Sequence, residues 1–316
     1  MATSASEVRA DDDEVDSTLG EDATTLTESL RSSLLESVRE NGRGYHRFDR
    51  TVDGNYWLPE DEMEQARLVL QHELWFRTFG GRLFTSPIKK EKIKQVLDLG
   101  TGTGIWAIEM ADAHPSATVT GVDLSPIQPN YVPPNLKFEI DDFNNDWTFT
   151  QKFDLIVGRC LVGASGNYPR LFQQALTYLS PNGYLEMIDI EGIITSDDDT
   201  HVSTAAEAWS ARQQEAMRRV DRDPHAPAKY AAWMREVGFV DVEERRYKWP
   251  VGSWPKDKYY KDIGRMHGVN FLAGLEGFTL RLWTGVLGLS LEETQVALVN
   301  VRKDVKNPRI HLYWPV

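Results

Sequence analysis

The chain has 316 residues, 41% hydrophobic and 26% charged, which suits a globular protein with one large domain and leaves no run of roughly 18 apolar residues for a membrane span. Its formal net charge of -13 disfavours direct binding to nucleic acid, since such proteins usually carry a basic stripe and the lysines and arginines here are scattered. The single cysteine, Cys160, excludes an internal disulfide and a cysteine-rich zinc site, and no cluster of histidines and carboxylates predicts another metal site.

Residues 1–24 are acidic and poor in apolar side chains, with the run Asp11, Asp12, Asp13, Glu14. Such a segment buries too little surface to offset the entropy of ordering, so we predict a disordered tail. The opening MATSASEVRADDDEVDS has neither the basic start nor the apolar centre of a secretory signal. The expected location is therefore inside the cell, in the cytoplasm, the nucleus or both.

Residues 25–95 are predicted to form an N-terminal helical segment. Thr25 and Glu28 have the spacing of a capping box. The apolar residues that follow lie on one helical face: Leu26, Leu30, Leu34, Leu35 and Val38. After a glycine-containing break at residues 41–44, a loop with tyrosines leads to a second helix, predicted over about residues 61–79.

From Val96 to Val316 short apolar runs alternate with amphipathic segments, a pattern typical of βα units on a parallel sheet. We predict seven strands, in QVLDLG, TVTGVDLS, LKFEIDD, FDLIVGRC, YLEMIDI, FVDVEERRYK and RIHLYWPV. A helical insertion at about residues 250–306 separates the last two. The expected fold class is α/β, with a Rossmann-like, seven-stranded, mostly parallel sheet and helices on both faces.

The segment VLDLGTGTGIWAIEM runs from a buried strand through Gly100, Gly102 and Gly104 into a helix. Glycines at these places allow a tight turn and let a ligand lie on the backbone at the helix N-terminus. The spacing is G-x-G-x-G, with Ile105 next, and departs from the dinucleotide fingerprint G-x-G-x-x-G. It favours a nucleoside-type ligand without a pyrophosphate. A tight turn without a ligand and an NAD-dependent dehydrogenase are the alternatives.

Three acidic positions strengthen the nucleoside hypothesis. Asp123 ends the next strand, 23 residues after Gly100, where a carboxylate binds ribose hydroxyls in nucleotide-binding α/β folds. Asp142, followed by Phe143, can accept a hydrogen bond from an adenine amino group while the ring covers the base; an exposed acidic turn is the alternative. Asp98 lies in an apolar strand, where it either anchors the loop or meets an ammonium group.

The run VLDLGTGTGIWAIEMADAHPSATVTGVDLSPIQP resembles the cofactor motif of class I S-adenosylmethionine-dependent methyltransferases. More narrowly, the chain resembles the fungal LaeA-like methyltransferases, which are tied to the control of secondary metabolism. From about Leu34 onward the similarity includes ENGRGYHRF, GNYWLPEDEMEQARLVLQH, YPRLFQQALTYLSPNGYLEMIDIE and IHLYWPV. One departure is that members of this family usually continue several residues beyond the position of Val316.

The resemblance implies S-adenosylmethionine as cofactor and S-adenosylhomocysteine as product. The residues expected to bind the cofactor are Asp98, Gly100, Thr101, Gly102, Gly104, Asp123, Leu124, Asp142 and Phe143. Tyr45 and Tyr56 are expected in a lid over the cofactor, formed by residues 25–95, or else as packing anchors. Arg159 follows the fourth strand, where it meets a carboxylate of cofactor or substrate, or forms a structural salt bridge.

Methyl transfer needs alignment, exclusion of water and, for a poorly acidic acceptor, a base. His46, His72 and His267 are the candidate bases, and each can instead be a hydrogen-bonded structural residue. The acceptor is expected to be a small natural product or a protein. The second function considered is a regulatory subunit that acts through a velvet-type or related protein partner, without direct contact to nucleic acid or a membrane.

Overall fold

The computed structural model describes residues 37–46 and 57–316. The strands are β1 (Ser37–Glu40), β2 (Arg43–His46), β3 (Gln95–Leu99), β4 (Thr118–Asp123), β5 (Leu136–Ile140), β6 (Phe153–Arg159), β7 (Leu179–Ile188), β8 (Lys248–Pro250) and β9 (Tyr313–Pro315). The α-helices are α1 (Glu62–Thr78), α2 (Ile105–Ala113), α3 (Tyr168–Tyr178), α4 (Ala205–Arg219), α5 (Tyr230–Val237), α6 (Lys258–Gly285) and α7 (Leu291–Val305). Short 3-10 helices span Lys90–Lys92 and Pro227–Lys229.

Five parallel strands form the central sheet, in the order β5-β4-β3-β6-β7. The middle strand, β3, is buried from Val96 to Leu99, because it has a neighbour on each side and helices on both faces. All five strands point the same way, so the glycine loop after β3 and the loops after β4, β5 and β6 share one edge. This carboxyl edge positions the candidate site.

The two faces of the sheet carry separate apolar layers. One layer packs α1, α2, α4, α6 and α7 against the sheet, with side chains such as Leu74, Trp106 and Phe271. The other packs α3 and α5, with Phe172 and Tyr230. Helices on both faces of a parallel sheet confirm the Rossmann-like α/β class.

The expectation of seven strands in one sheet is wrong. The sixth strand was predicted over residues 239–248, but most side chains of residues 239–247 are exposed. There Glu243 pairs with Arg245, and Glu244 pairs with Arg246. Strand β8 begins only at Lys248 and pairs antiparallel with β9 in a separate two-stranded sheet. Charged side chains on both faces of a strand do not fit a buried sheet position, so residues 239–247 stay outside the central sheet.

A hairpin of β1 and β2 lies where part of the N-terminal helical segment was expected. Val38, predicted to end the first helix, pairs with Tyr45 across the hairpin, while residues 25–36 lie outside the described residues. The turn is Asn41-Gly42, with φ of 50° and 81°. Both values are left-handed, as a two-residue hairpin turn requires, so this dipeptide was the sequence signal for the hairpin.

Helix α1 agrees with the helix predicted over about residues 61–79. Asp61 caps its N-terminus by accepting a hydrogen bond from the Glu64 amide at 3.0 Å, and Arg43 of β2 binds the same carboxylate at 2.6 Å. The predicted insertion contains α6 and α7, and α7 begins with a capping box of Ser290 and Glu293. In the described part of the chain, no helix combines the length and apolar character needed to cross a membrane.

Candidate cofactor site at the carboxyl edge of the sheet

The glycine loop links β3 to α2 with three left-handed residues. Gly100, Gly102 and Gly104 have φ of 65°, 56° and 76°, a region that other residues rarely adopt. A Cβ atom on Gly104 would lie 2.3 Å from Phe138 Cζ, so glycine there also allows the helix to approach β5. The amide of Gly104 donates to Thr101 O at 2.9 Å, which closes the turn directly before the helix N-terminus.

Asp123, at the end of β4, and Gln128, in the segment that follows, hold Gly102 through its amide and its carbonyl group. Asp123 Oδ2 accepts a hydrogen bond from the Gly102 amide at 2.7 Å, and Asp123 Oδ1 accepts one from the Ser125 amide at 2.9 Å. Gln128 Nε2 donates to Gly102 O at 2.7 Å. These contacts fix the backbone of Gly102 between the end of β4 and the segment that follows it.

Asp98 anchors the loop from below. Its side chain is buried, and Oδ2 accepts a hydrogen bond from Thr101 Oγ1 at 2.6 Å. Burial raises the pKa of Asp98 to about 6, although the charge of Arg159 and the Thr101 hydroxyl act in the opposite direction. A cationic group of a ligand nearby would stabilise the carboxylate further.

Asp142 and Phe143 follow β5 at the same edge. The Asp142 carboxylate accepts hydrogen bonds from the amide and the side chain of Asn144, both at 2.9 Å. Phe143 is buried and lies 3.7 Å from where a Cβ on Gly100 would be, beside the loop. A cavity of about 190 Å³ adjoins Phe143, and its walls include Leu99, Val122, Asp141, Trp147 and Phe149.

Arg159 ends β6 beside α1 and α2. Its Nη1 lies 3.1 Å from Nδ1 of His72, and the guanidinium carbon lies 5.6 Å from the centre of the Trp106 ring. His72 Nε2 lies 3.1 Å from Glu109 Oε2. The edge therefore holds a hydrogen-bonded chain of Arg159, His72 and Glu109, in which the cation lies near the Asp98 carboxylate.

Cys160 begins the loop after β6 with a left-handed φ of 55°. Its amide donates to Ile188 O at 2.8 Å, and its sulfur accepts a hydrogen bond from Trp75 Nε1 at 3.2 Å. Burial raises the pKa of the thiol to about 12, so the neutral form prevails near neutral pH. Cys160 is therefore a packed thiol at this edge and not an activated nucleophile.

Other predicted site residues lie away from this edge or outside the described residues. His267 is fully buried, its Nδ1 faces the carbonyl oxygens of Trp249 and Pro250 at 3.2 and 3.1 Å, and burial lowers its pKa to about 4. This position fits a packing role better than the role of a base. The backbone of His46 ends β2, and Tyr56 lies outside the described residues.

Tyr45 and Leu124, two of the residues predicted to contact the cofactor, lie within the described part of the chain. Tyr45 is fully buried under the Arg281 guanidinium of α6, 4.3 Å from its ring centre, which fits the packing alternative. Leu124 is half-buried directly after Asp123, at the edge of the sheet. The lid over the cofactor stays a prediction.

Two further residues at this edge were not identified from the sequence. Gln128 fixes the loop from within DLSPIQP, a segment that was noted only for its resemblance. Glu109 lies on the first helix after the glycines, four residues beyond Ile105. In the sequence, nothing distinguishes this glutamate from other acidic residues on helix surfaces. Both act through contacts between elements that are distant in sequence.

The comparisons with known proteins identify the family. A family described as "Methyltransferase domain" matches residues 71–244, more than half of the chain. The chain belongs to this methyltransferase family. The methyltransferase pytC of Aspergillus terreus is 38% identical over 295 residues, which cover 92% of this chain and 89% of that protein.

Two relatives carry names from the regulation of secondary metabolism or from protein methylation. The secondary metabolism regulator LAE1 of Cochliobolus heterostrophus is 35% identical, over 87% of this chain and 91% of that protein. The protein-methionine methyltransferase laeA of Emericella nidulans is 31% identical, over 90% of this chain and 76% of that protein. The resemblance to LaeA-like methyltransferases is confirmed, and the chain is an S-adenosylmethionine-dependent enzyme, not a dehydrogenase.

The residues at the carboxyl edge fit this cofactor. Three left-handed glycines lie in the loop that leads into a helix N-terminus. Asp123 accepts a hydrogen bond from this loop, and the buried Asp98 lies in the strand that precedes it. None of the residues described forms a cluster of histidines, cysteines and carboxylates that would hold a metal ion.

Proposed function

We propose that this methyltransferase methylates a small natural product in fungal secondary metabolism, with the carboxyl edge of the central sheet as its cofactor site. The observation that carries the proposal is the loop of Gly100, Gly102 and Gly104, joined to Asp123 and Asp98, in a chain that is 38% identical to the methyltransferase pytC. In this site Asp123 binds the ribose hydroxyls, Asp98 faces the ammonium group and Phe143 covers the base.

For methyl transfer, the protein mainly has to position the cofactor and the acceptor. S-adenosylmethionine supplies a methyl group already activated by a sulfonium, and the acceptor displaces the sulfur in line. The glycine loop and Asp123 orient the cofactor, while Trp75 and Trp106, both buried at this edge, exclude water. Both nitrogens of His72 already have partners, so an acceptor that loses its proton to water near neutral pH, such as an acidic thiol, suits this edge best.

The aromatic residues at and within the insertion are divided between buried and exposed positions. Trp249, Phe271 and Trp283 are fully buried in the apolar layer between the helices and the sheet. Tyr259 and Tyr260, at the start of α6, are exposed. The acceptor is therefore not expected in the interior of the insertion.

A second function is favoured by the relatives named as a regulator and as a protein methyltransferase. In this reading the chain forms a complex with a velvet-type or related protein, in the nucleus or the cytoplasm, and its acceptor is a protein. The formal net charge of -13 fits action through partners rather than through DNA.

Calorimetry tests the cofactor site. We expect S-adenosylhomocysteine to bind the isolated chain and NADH, the control ligand, not to bind. Binding of S-adenosylhomocysteine that is unchanged in Gly102→Val, a variant whose side chain would force strain at a left-handed φ of 56°, would contradict the proposed loop site.

A labelled-methyl assay separates the two functions. The purified chain is incubated with labelled S-adenosylmethionine and either extracted metabolites or extracted proteins, in parallel with a pull-down from native extract. Rapid labelling of one metabolite by the chain alone supports the natural-product function. A stoichiometric protein partner together with labelled protein, and no labelled metabolite, supports the regulatory function instead.

A further inference from the structure

The hydrogen-bonded chain of Arg159, His72 and Glu109 fixes the proton on the imidazole. Arg159 Nη1 is 3.1 Å from His72 Nδ1, and a guanidinium has donors but no acceptor. His72 Nδ1 must therefore accept. The imidazole proton lies on Nε2 and is donated to Glu109 Oε2, also at 3.1 Å. Both ring nitrogens are then in use.

We infer that His72 is a positioning residue: in its neutral Nε2–H tautomer it holds the Arg159 guanidinium at the carboxyl end of β6, and it is not the base of the reaction. The inference rests on the proposed place of this edge in cofactor binding. His72 belongs to α1, Glu109 to α2 and Arg159 to β6, so the same contacts join the helix that follows the glycine loop to the strand beside it.

The position of Arg159 matters for ligand binding because its buried guanidinium has few hydrogen-bond partners within the described part of the protein. The charge of Asp98 stabilises the cation, the ring of Trp106 lies 5.6 Å away, and burial lowers the pKa of the guanidinium. Its Nε is buried and has no hydrogen-bond partner among the described residues. A buried donor without a partner is costly, so an anionic group of a bound ligand would be stabilised here.

Protonation of His72 would break this arrangement. A proton on Nδ1 would face the donor of Arg159, and two cations would then lie 3.1 Å apart. Burial and the Arg159 charge lower the pKa of His72, whereas Glu109 and Glu73 act in the opposite direction. A further cation near this group is Arg82. The neutral form therefore prevails near neutral pH and is lost on acidification.

The tautomer is tested directly by nitrogen-15 NMR of the histidine side chains in the full chain, with the His72 signals assigned by their loss in His72→Gln. We expect the Nε2–H form at about pH 7.5. The Nδ1–H form, or a protonated ring at this pH, would overturn the inference. This measurement needs no ligand, so it stands even when the proposed cofactor site fails.

The functional test compares S-adenosylhomocysteine affinity between about pH 5 and about pH 8 in three variants. Gln can accept from Arg159 and donate to Glu109 but does not titrate, so His72→Gln should bind like the wild type at the upper pH and be weakened less by acid than the wild type, with the remaining loss caused by protonation of Asp98. His72→Ala should bind about tenfold more weakly throughout. His311→Gln, which removes a partly exposed histidine paired with Asp198, is the matched control and should follow the wild type.

The positioning role would be refuted if acid weakened binding to His72→Gln as much as to the wild type. It would also be refuted by wild-type affinity in a folded His72→Ala. Circular dichroism and thermal unfolding establish that each variant is folded. Absence of binding by the wild type would instead refute the proposed cofactor site, so the two failures are distinguishable.

Discussion

At the scale of single residues, the carboxyl edge depends on side chains that hold the backbone of the glycine loop. Asp123 is predicted to bind ribose, and in the structure its carboxylate accepts a hydrogen bond from the Gly102 amide at 2.7 Å. Asp98 was expected either to anchor the loop or to meet an ammonium, and its hydrogen bond with Thr101 provides the anchor. The same groups therefore shape the loop before a cofactor arrives.

We expect Asp123→Ala to weaken S-adenosylhomocysteine binding by about 1 to 3 kcal/mol, because it removes ribose hydrogen bonds and the support of Gly102. Calorimetry measures the change. Asp112→Ala, at an exposed position near the end of α2, is the control and should bind normally. A folded Asp123→Ala with wild-type affinity would show that this carboxylate does not contact the cofactor.

At the scale of elements, α6 packs so closely on the turn after β8 that two of its glycines are not equivalent. A Cβ on Gly264 would lie 2.1 Å from Gly252 O, whereas a Cβ on Gly285 would lie 3.9 Å from the nearest atom, Trp57 Cζ3. Both glycines belong to one helix, in which alanine is otherwise the better helix former.

Gly264→Ala should therefore lower the free energy of unfolding by about 1 to 3 kcal/mol, because the backbone of the turn must move. Gly285→Ala is the matched variant at the last residue of the helix, and it should leave the free energy of unfolding within about 0.5 kcal/mol of the wild type. Urea denaturation of both proteins decides the matter. Equal effects of the two substitutions would refute the close contact of α6 with the turn.

At the scale of the whole molecule, one buried carboxyl couples stability to pH. Asp189, directly after β7, accepts hydrogen bonds from the Leu161 and Ile190 amides and from the Tyr230 hydroxyl. Burial nevertheless raises its pKa to about 7. Between about pH 4 and about pH 7 the folded chain therefore keeps a proton that the unfolded chain releases, and this group's contribution to stability falls as pH rises.

Asp189→Asn removes this titration, and because its new Nδ2 must face the Leu161 or the Ile190 amide donor, the variant should also lose a pH-independent amount of stability. The stability of the variant relative to the wild type should rise with pH between about pH 5 and about pH 7, by on the order of 1 kcal/mol per pH unit. Urea denaturation at several pH values measures it. In Asp112→Asn the difference from the wild type should stay constant, and a constant difference in Asp189→Asn would contradict the coupling.

The sequence alone predicted the sheet strands from Val96 to Ile188, the helix after the glycines and the family, because these depend on local patterns. An apolar run bounded by glycines, or an acid at the end of a strand, is visible within a few residues. For the same reason Gly100, Gly102, Gly104 and Asp123 were identified as a candidate site, although binding by each residue is still a prediction.

Only the tertiary structure decided the contacts between distant segments. The chain of Arg159, His72 and Glu109 joins three elements, and no local pattern tells that a histidine on α1 lies between those two charges. The separation of β8 and β9 from the central sheet likewise depends on pairing across about sixty residues. Which side chains meet is set by packing of whole faces, and packing is a property of the folded chain rather than of any one segment.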